Sequence, residues 1–402
     1  MGGGGPWTAS LRSRRACYNH EVRPTAGTPL YVHLPFCAAK CHYCDFYSVP
    51  AEGHDRRGMV EAILSEARLR APREPSTVFF GGGTPSLLES DELALLFDGL
   101  DDLCGWRGSS RETTVECNPE SLDGHKAQAL LELGATRLSI GFQSLDVGTL
   151  QLFGRVHGVE DSFHAYAAAR SAGATNVNID LIYATPDQPL EQWLDHLGRV
   201  LELGPDHVSA YNLTFEEDTV FRRWLEQGRL RRQDEEQELR FFEETRARLA
   251  QGGWPAYEIS NFARAGRECA HNLHYWRNGD YVGLGPSAVS KEGTTRSGNV
   301  KAIGAYARVA LEGHRPKAWD ETPTERQRLA ETWWLGLRTR EGLGRDEARQ
   351  RAACGDDEFL LREVRALQGH GVLACVDDRW RLTSRGLPLA DWIAKRLLAL
   401  AD

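Results

Sequence analysis

Between residues 29 and 260 the chain alternates short β-branched or aromatic runs with longer stretches in which apolar residues return every three or four positions. The short runs predict strands at Leu30–Leu34, Thr77–Phe80, Thr113–Glu116, Arg137–Gly141, Asn176–Tyr183 and His207–Tyr211. Helical spacing is read over Met59–Leu69, Asp91–Leu100, Leu122–Leu133, Phe163–Ser171 and Leu190–Leu203, and many of these stretches close with Gly or Pro. A charged helix over Asp234–Leu249 leads to one more expected strand, Ala256–Ser260. Six or seven β/α units predict an α/β fold with a parallel sheet.

The polar residues of unusual composition fall at or just past the C-terminal ends of the expected strands. Three cysteines follow the first, Gly81–Pro85 the second, Glu116–Pro119 ends the third, Gln143 follows the fourth, and Asp180 lies in the fifth. That end of a parallel barrel is where such folds carry their chemistry, so the pattern predicts a (β/α) barrel, full or partial. After about residue 303 the alternation stops. Helices are expected over Glu325–Thr339, Asp346–Ala353 and Glu358–Gln368, then a hairpin from Val372–Val376 to Trp380–Thr383 and a terminal helix from Leu387. Helices with a hairpin predict a small winged-helix-like domain. The expected division is a tail over 1–28, a barrel domain over 29–302 and a C-terminal domain over 303–402. The tail is read as disordered: its arginine bias is like that of an organelle transit peptide, but the glycine run lacks amphipathic periodicity.

Charge narrows the partners. With 48 Lys and Arg against 57 Asp and Glu the formal charge is −9, and residues 301–402 hold 18 basic against 16 acidic residues. Neither is the footprint of a nucleic-acid binder, winged helix or not. No apolar run approaches the ~18 residues that a membrane span needs, so no stable membrane insertion is expected. Nine cysteines cannot pair completely, and with no secretory signal the expected compartment is a reducing, cytoplasmic one.

Three of those cysteines, Cys37, Cys41 and Cys44, fall within eight residues of one another. Three thiolates on one tight loop can hold three irons of a 4Fe-4S cluster and leave the fourth iron open to another ligand. A three-cysteine zinc knot completed by His33 or His42 is the alternative.

The run from Tyr31 through Pro35 and Phe36 into C-x-x-x-C-x-x-C resembles the radical S-adenosylmethionine superfamily, in its coproporphyrinogen dehydrogenase-like branch. The resemblance implies that the open iron chelates S-adenosylmethionine, which one-electron reduction can split to a deoxyadenosyl radical, chemistry that belongs to the cofactor. It also implies a site. Gly82, Gly83 and Thr84, within Gly81–Pro85, would let backbone approach the methionyl amino group. Glu116 would hold polar groups of the cofactor, Gln143, Arg155 and Asp180 would be further contacts, and Tyr31 and Tyr43 flanking ones.

Within the branch, the dehydrogenases carry a further cysteine two places after the third ligand. Phe46 stands there, which is similar to HemW-type heme chaperones, as are Asn178–Tyr183, Tyr257–Phe262 and the H-N-x-x-Y-W element of His271–Trp276. That likeness implies bound heme, a heme-acceptor protein and an electron donor as partners. A dehydrogenase or radical methyltransferase is the alternative. His271, beside Tyr275 and Trp276, is the expected axial ligand, in balance with a hydrogen-bonded core histidine; Cys269 reads as a buried thiol. Two positions depart from the group, Val289 where Ala-His-Ser is usual and Ala270 where Arg is frequent, and His157 reads as a loop brace.

Overall fold

The computed structural model describes residues 26–401, so the tail expected over 1–28 lies almost wholly outside the described residues. Eight strands form the main sheet: β1 (Leu30–Leu34), β2 (Thr77–Gly82), β3 (Glu112–Cys117), β4 (Arg137–Gln143), β5 (Val177–Tyr183), β6 (His207–Asn212), β7 (Asn261–Ala263) and β8 (Val282–Leu284). Their order is β8-β1-β2-β3-β4-β5-β6-β7, parallel throughout except for β7, which runs antiparallel to β6. The two end strands do not pair with each other, so the barrel is partial.

Strand alternation separates two environments. Leu30, Val32 and Leu34 of β1, with Val115, Leu138, Ile140, Val177, Ile179 and Val208, face the surrounding helices and join the largest apolar core. Their neighbours turn inward and are largely polar: Tyr31, His33, Glu116, Ser139, Asn178, Asp180, His207 and Ser209. The lumen is therefore held by hydrogen bonds rather than by layers of aliphatic side chains.

Two sequence expectations change. Ala256–Ser260 is a turn, because the Glu258 carboxylate accepts from the amides of Ile259 (2.7 Å) and Ser260 (3.1 Å) and so takes donors a ladder would need. The strand begins one residue later, at Asn261. The eighth strand, Val282–Leu284, arises from a glycine-rich stretch that predicts no element; Gly283 is required there, since a Cβ would sit 2.2 Å from the Val289 carbonyl oxygen.

Helix Arg56–Arg70 ties down the chain at and just after the edge strand β8. Its Glu66, fully buried, accepts from the amide of Gly285 (2.9 Å), Asn299 Nδ2 (2.8 Å) and the hydroxyl of Tyr306 (2.6 Å) and pairs with Arg70 (3.3 Å). Helix Ile303–Leu311 packs on Arg56–Arg70, with Tyr306 and Ala310 in the barrel's own core, and strand Lys317–Glu321 pairs with Thr295–Asn299. Residues 303–321 thus pack with the barrel. A second apolar core begins at Leu329 and takes in helices Glu325–Leu337, Arg345–Ala352, Glu358–Gly369 and Ala390–Ala399 around a three-stranded sheet containing the hairpin of Leu373–Val376 and Arg379–Leu382. This helical, hairpin-bearing unit has the winged-helix-like make-up that the sequence predicts.

Candidate active site: the open end of the barrel

The loop carrying Cys37, Cys41 and Cys44 runs between two short paired strands, Phe36–Cys37 and Val49–Pro50, directly beyond the end of β1. It is fastened at several points. The His42 amide donates to the Phe153 carbonyl (2.9 Å) and His42 Nδ1 to the Leu152 carbonyl (2.8 Å); Lys40 donates to the Phe46 carbonyl and to Ser48 Oγ (3.0 Å). All three thiols are free and partly exposed. Burial pushes the Cys44 thiol up to about 11 and also raises that of Cys37, so loading with metal must expel protons from this loop.

Neither histidine completes a zinc site. His33 Nε2–H donates to the Tyr47 carbonyl (2.8 Å), which leaves Nδ1 to accept from the Tyr31 hydroxyl (3.0 Å). Among the described residues, no three His, Cys, Asp or Glu side chains converge on one ion. The donor set suits a multi-iron cluster held by thiolates from one loop.

Next to the cysteines, β2 ends in a backbone cradle. Gly82 has φ +103°, and a Cβ there would lie 2.4 Å from the His33 ring; one on Gly83 would lie 2.5 Å from the Phe36 carbonyl oxygen. The Gly82 amide donates to Glu116 Oε2 (3.0 Å). Burial raises Glu116 to about 7, with the nearby charge of Asp180 pushing the same way and the Gly82 amide and Arg137 opposing. Gln143 reaches the same opening because a bulge at Gly141 and a φ of +63° turn it inward at the end of β4. Arg155 donates to Asn118 Oδ1 (2.6 Å) and the Gly141 carbonyl (3.1 Å), with Nη1 3.5 Å from the Cys41 sulfur. Asn118 in turn donates to Thr84 Oγ1 (2.8 Å). Asn118 thus links the glycine cradle to the cysteine loop, a role sequence reading missed although it lies two residues after Glu116. Tyr43 packs against Phe153 at 4.8 Å, and His157 sits between Glu120 and the Phe142 carbonyl as a brace.

Asp180 is held by a directed chain. Its Oδ1 accepts from Asn178 Nδ2 (2.8 Å) and its Oδ2 from Ser139 Oγ (3.0 Å). That fixes the Asn178 amide, so Asn178 Oδ1 accepts from His207 Nδ1–H (2.6 Å). His207 Nε2 must then accept from the Tyr257 hydroxyl (3.0 Å), which accepts from Asn272 Nδ2 (3.2 Å). Every donor points toward the carboxylate. Burial holds the His207 imidazole neutral, well below its usual range, which the single N–H in this chain requires.

His271 does not join this end. It is 1% exposed and packed near the N-terminal ends of β2 and β3. Its Nδ1 pairs with Thr77 Oγ1 (2.8 Å) and its Nε2 with the Tyr275 hydroxyl (2.9 Å). Burial takes its pKa down to about 3. Of the two readings weighed on sequence, the structure has the hydrogen-bonded core histidine, and no ring nitrogen remains for an iron. Glu112 accepts from the amides of Ala270 (2.9 Å) and His271 (3.0 Å) and from the Cys269 thiol (3.3 Å), whose pKa burial raises to about 12. Trp276 lies edge-on to Trp334 of the C-terminal unit at 6.4 Å, with Arg338 over both rings. The H-N-x-x-Y-W element is therefore a junction. Its histidine braces the barrel floor, its asparagine feeds the Asp180 chain and its tryptophan docks the C-terminal helices.

Residues 31–200 match the Radical SAM superfamily model. The chain is 33% identical over 361 residues to "Heme chaperone HemW" of Bacillus subtilis (strain 168), covering 89% of this chain and 95% of that protein. The chain belongs to the HemW family. Another relative of similar likeness is "Radical S-adenosyl methionine domain-containing protein 1, mitochondrial" of Bos taurus, 33% identical over 98% of this chain and 90% of its own length. Among solved structures, the HemN coproporphyrinogen III oxidase of Escherichia coli superposes with a TM-score of 0.79 at 25% identity, covering 94% of this chain and 91% of that one. Membership of the HemW family, and through it of the radical SAM superfamily, implies a 4Fe-4S cluster and S-adenosylmethionine, and the thiol loop and backbone cradle fit both. Among the described residues no helix is long and apolar enough to cross a membrane.

Proposed function

We propose that this protein is a cytoplasmic heme chaperone: it takes up heme and passes it to an acceptor protein, with an electron donor serving a 4Fe-4S cluster. The observation that carries the reading is 33% identity to a heme chaperone over 95% of that protein's length, together with Phe46 where the dehydrogenases have a fourth cysteine. Cys37, Cys41 and Cys44 hold the cluster. Gly82, Gly83 and Thr84 present backbone and hydroxyl to the methionyl end of S-adenosylmethionine, Glu116 and Asp180 offer carboxylates to its polar groups, and Gln143 and Arg155 close the site, flanked by Tyr31 and Tyr43. When bound, the pair supplies one-electron reductive cleavage of a sulfonium. The protein's own part is to position: Asn118 and Arg155 tie cradle to cysteine loop, and the Asn272–Tyr257–His207–Asn178 chain aims Asp180. The C-terminal unit covers one side of the mouth.

The second reading, oxidation of coproporphyrinogen, is favoured by the likeness to the HemN oxidase. One experiment separates them. Anaerobically reconstituted protein is given coproporphyrinogen with a reductant and S-adenosylmethionine, and separately ferric heme followed by an apo-heme protein. Heme uptake and transfer with unchanged coproporphyrinogen is expected. A product lacking two carboxylates would replace the chaperone reading with the enzymatic one.

A further inference from the structure

A cavity of about 480 Å3 lies where the barrel mouth meets helix Glu325–Leu337. Its lining includes Asp45 to Tyr47, the residues that follow the last cysteine of the loop, and Trp334 of the C-terminal unit. Tyr275 and Tyr281, edge to face at 4.6 Å, also line it, as do Lys291 and Arg296. Its size is that of a cofactor or small-ligand site.

The geometry points to this cavity as the place where heme is carried, an inference that rests on the chaperone reading above. A tetrapyrrole asks for flat apolar surface on its faces and cations for its two propionates, and in tightly ligated heme proteins also for an axial donor. The rings of Tyr47, Tyr281 and Trp334 meet the first demand. Lys291 and Arg296 are the cations for the second, each already inside a charge cluster: Lys291 Nζ donates to the Asn278 carbonyl (2.7 Å) and lies 3.4 Å from Asp280, and Arg296 pairs with both Glu321 (2.9 Å) and Glu331 (2.8 Å), so a propionate must take the place of a carboxylate partner. The third demand is not met by an imidazole. His33 is the lining histidine, and both of its nitrogens are engaged, by Tyr47 and Tyr31. Val289 offers only an aliphatic wall. Heme held by its faces and carboxylates leaves without an iron–imidazole bond to break, which suits a protein that must hand it on.

Full-length protein with its cluster in place is titrated with ferric heme and followed by Soret absorption. Wild type is expected to bind with a spectrum lacking protein imidazole ligation. Val289→Trp, which fills the slot, should weaken binding at least tenfold, and Val289→His should convert the spectrum to an imidazole-ligated form. Either change supports the cavity. Absence of heme binding by wild type would sink the chaperone reading itself. Wild-type binding that neither variant alters, with cluster absorption intact in both, would leave the chaperone reading standing and overturn this cavity.

Discussion

Glu116→Gln should stabilise the apo-protein and weaken its hold on S-adenosylmethionine. The carboxylate faces the barrel mouth with the Gly82 amide as its neutral donor, and a glutamine oxygen can keep that bond (3.0 Å). What the substitution removes is a charge. Burial, then Asp180, raises the pKa of Glu116 from 4.5 to about 7. At about 1.4 kcal/mol per unit, the ionised form costs the fold up to about 3 kcal/mol. The sign follows from proton binding. Between the unfolded and folded values the native state holds the extra proton, so this group lowers stability progressively as pH rises from about 4.5 to about 7, and the loss is complete above that. The variant escapes it. Its advantage over wild type, read from denaturant or thermal unfolding of the apo full chain, should be near zero at pH 4.5 and grow to its plateau above pH 7. S-adenosylmethionine carries a sulfonium and an ammonium, and a charge-assisted hydrogen bond is worth about 1.5–3 kcal/mol. Calorimetric titration of the cluster-loaded variant should therefore show affinity lower by roughly ten- to a hundredfold. A variant less stable than wild type at pH 8, with affinity unchanged, would refute both halves of the reasoning.

Three further substitutions probe other parts of the site. His207→Phe keeps an aromatic ring but takes one buried hydrogen-bond partner from each of Asn178 and Tyr257, which retain Ser209 and Asn272; a loss of about 2–4 kcal/mol is expected on unfolding, with weaker S-adenosylmethionine binding. An unchanged affinity would show that Asp180 is aimed without this chain. Gly83→Ala puts a methyl 2.5 Å from the Phe36 carbonyl oxygen, so the end of β2 must shift at a cost of about 1–3 kcal/mol; wild-type unfolding would mean the cradle has slack. Cys41→Ser should abolish the visible cluster absorption after reconstitution with iron and sulfide, and retention of stoichiometric zinc instead would revive the single-ion reading.

Strands β1 to β6 were legible because each turns one apolar face to a helix, so that period two survives even with a polar lumen. The chemistry at their ends was legible for a related reason: three clustered cysteines or three consecutive glycines at a strand terminus add little to an apolar core, and the glycines mark a close backbone approach. Val282–Leu284 was not readable, since three residues are too short to establish a period and its glycine is there to admit the Val289 carbonyl. Ala256–Ser260 misled because Tyr257 and Ile259 alternate like a strand while Glu258 consumes the backbone donors. His271 was ambiguous because an imidazole among aromatic residues reads alike in a ligand pocket and in a core; only its burial, with Thr77 and Tyr275 on its two nitrogens, decides. The Asp180 chain joins residues 139, 178, 207, 257 and 272, and no local pattern records the register that brings them together. The packing of residues 303–321 on the barrel was hidden likewise, because Glu66 meets Tyr306 across most of the domain.

That last contact sets a schedule for synthesis. Helix Arg56–Arg70 leaves the ribosome early with a buried carboxylate whose partners, Gly285, Asn299 and Tyr306, have yet to be made. At about 5–20 residues per second, Tyr306 follows Glu66 by roughly 10–50 s. For most of that interval, from the making of β2 to that of β8, β1 has a partner on one side only, and the nascent barrel presents an unpaired strand edge. Stalling translation between residues 284 and 306, then probing β1 by protease, would show whether the edge stays open for that long.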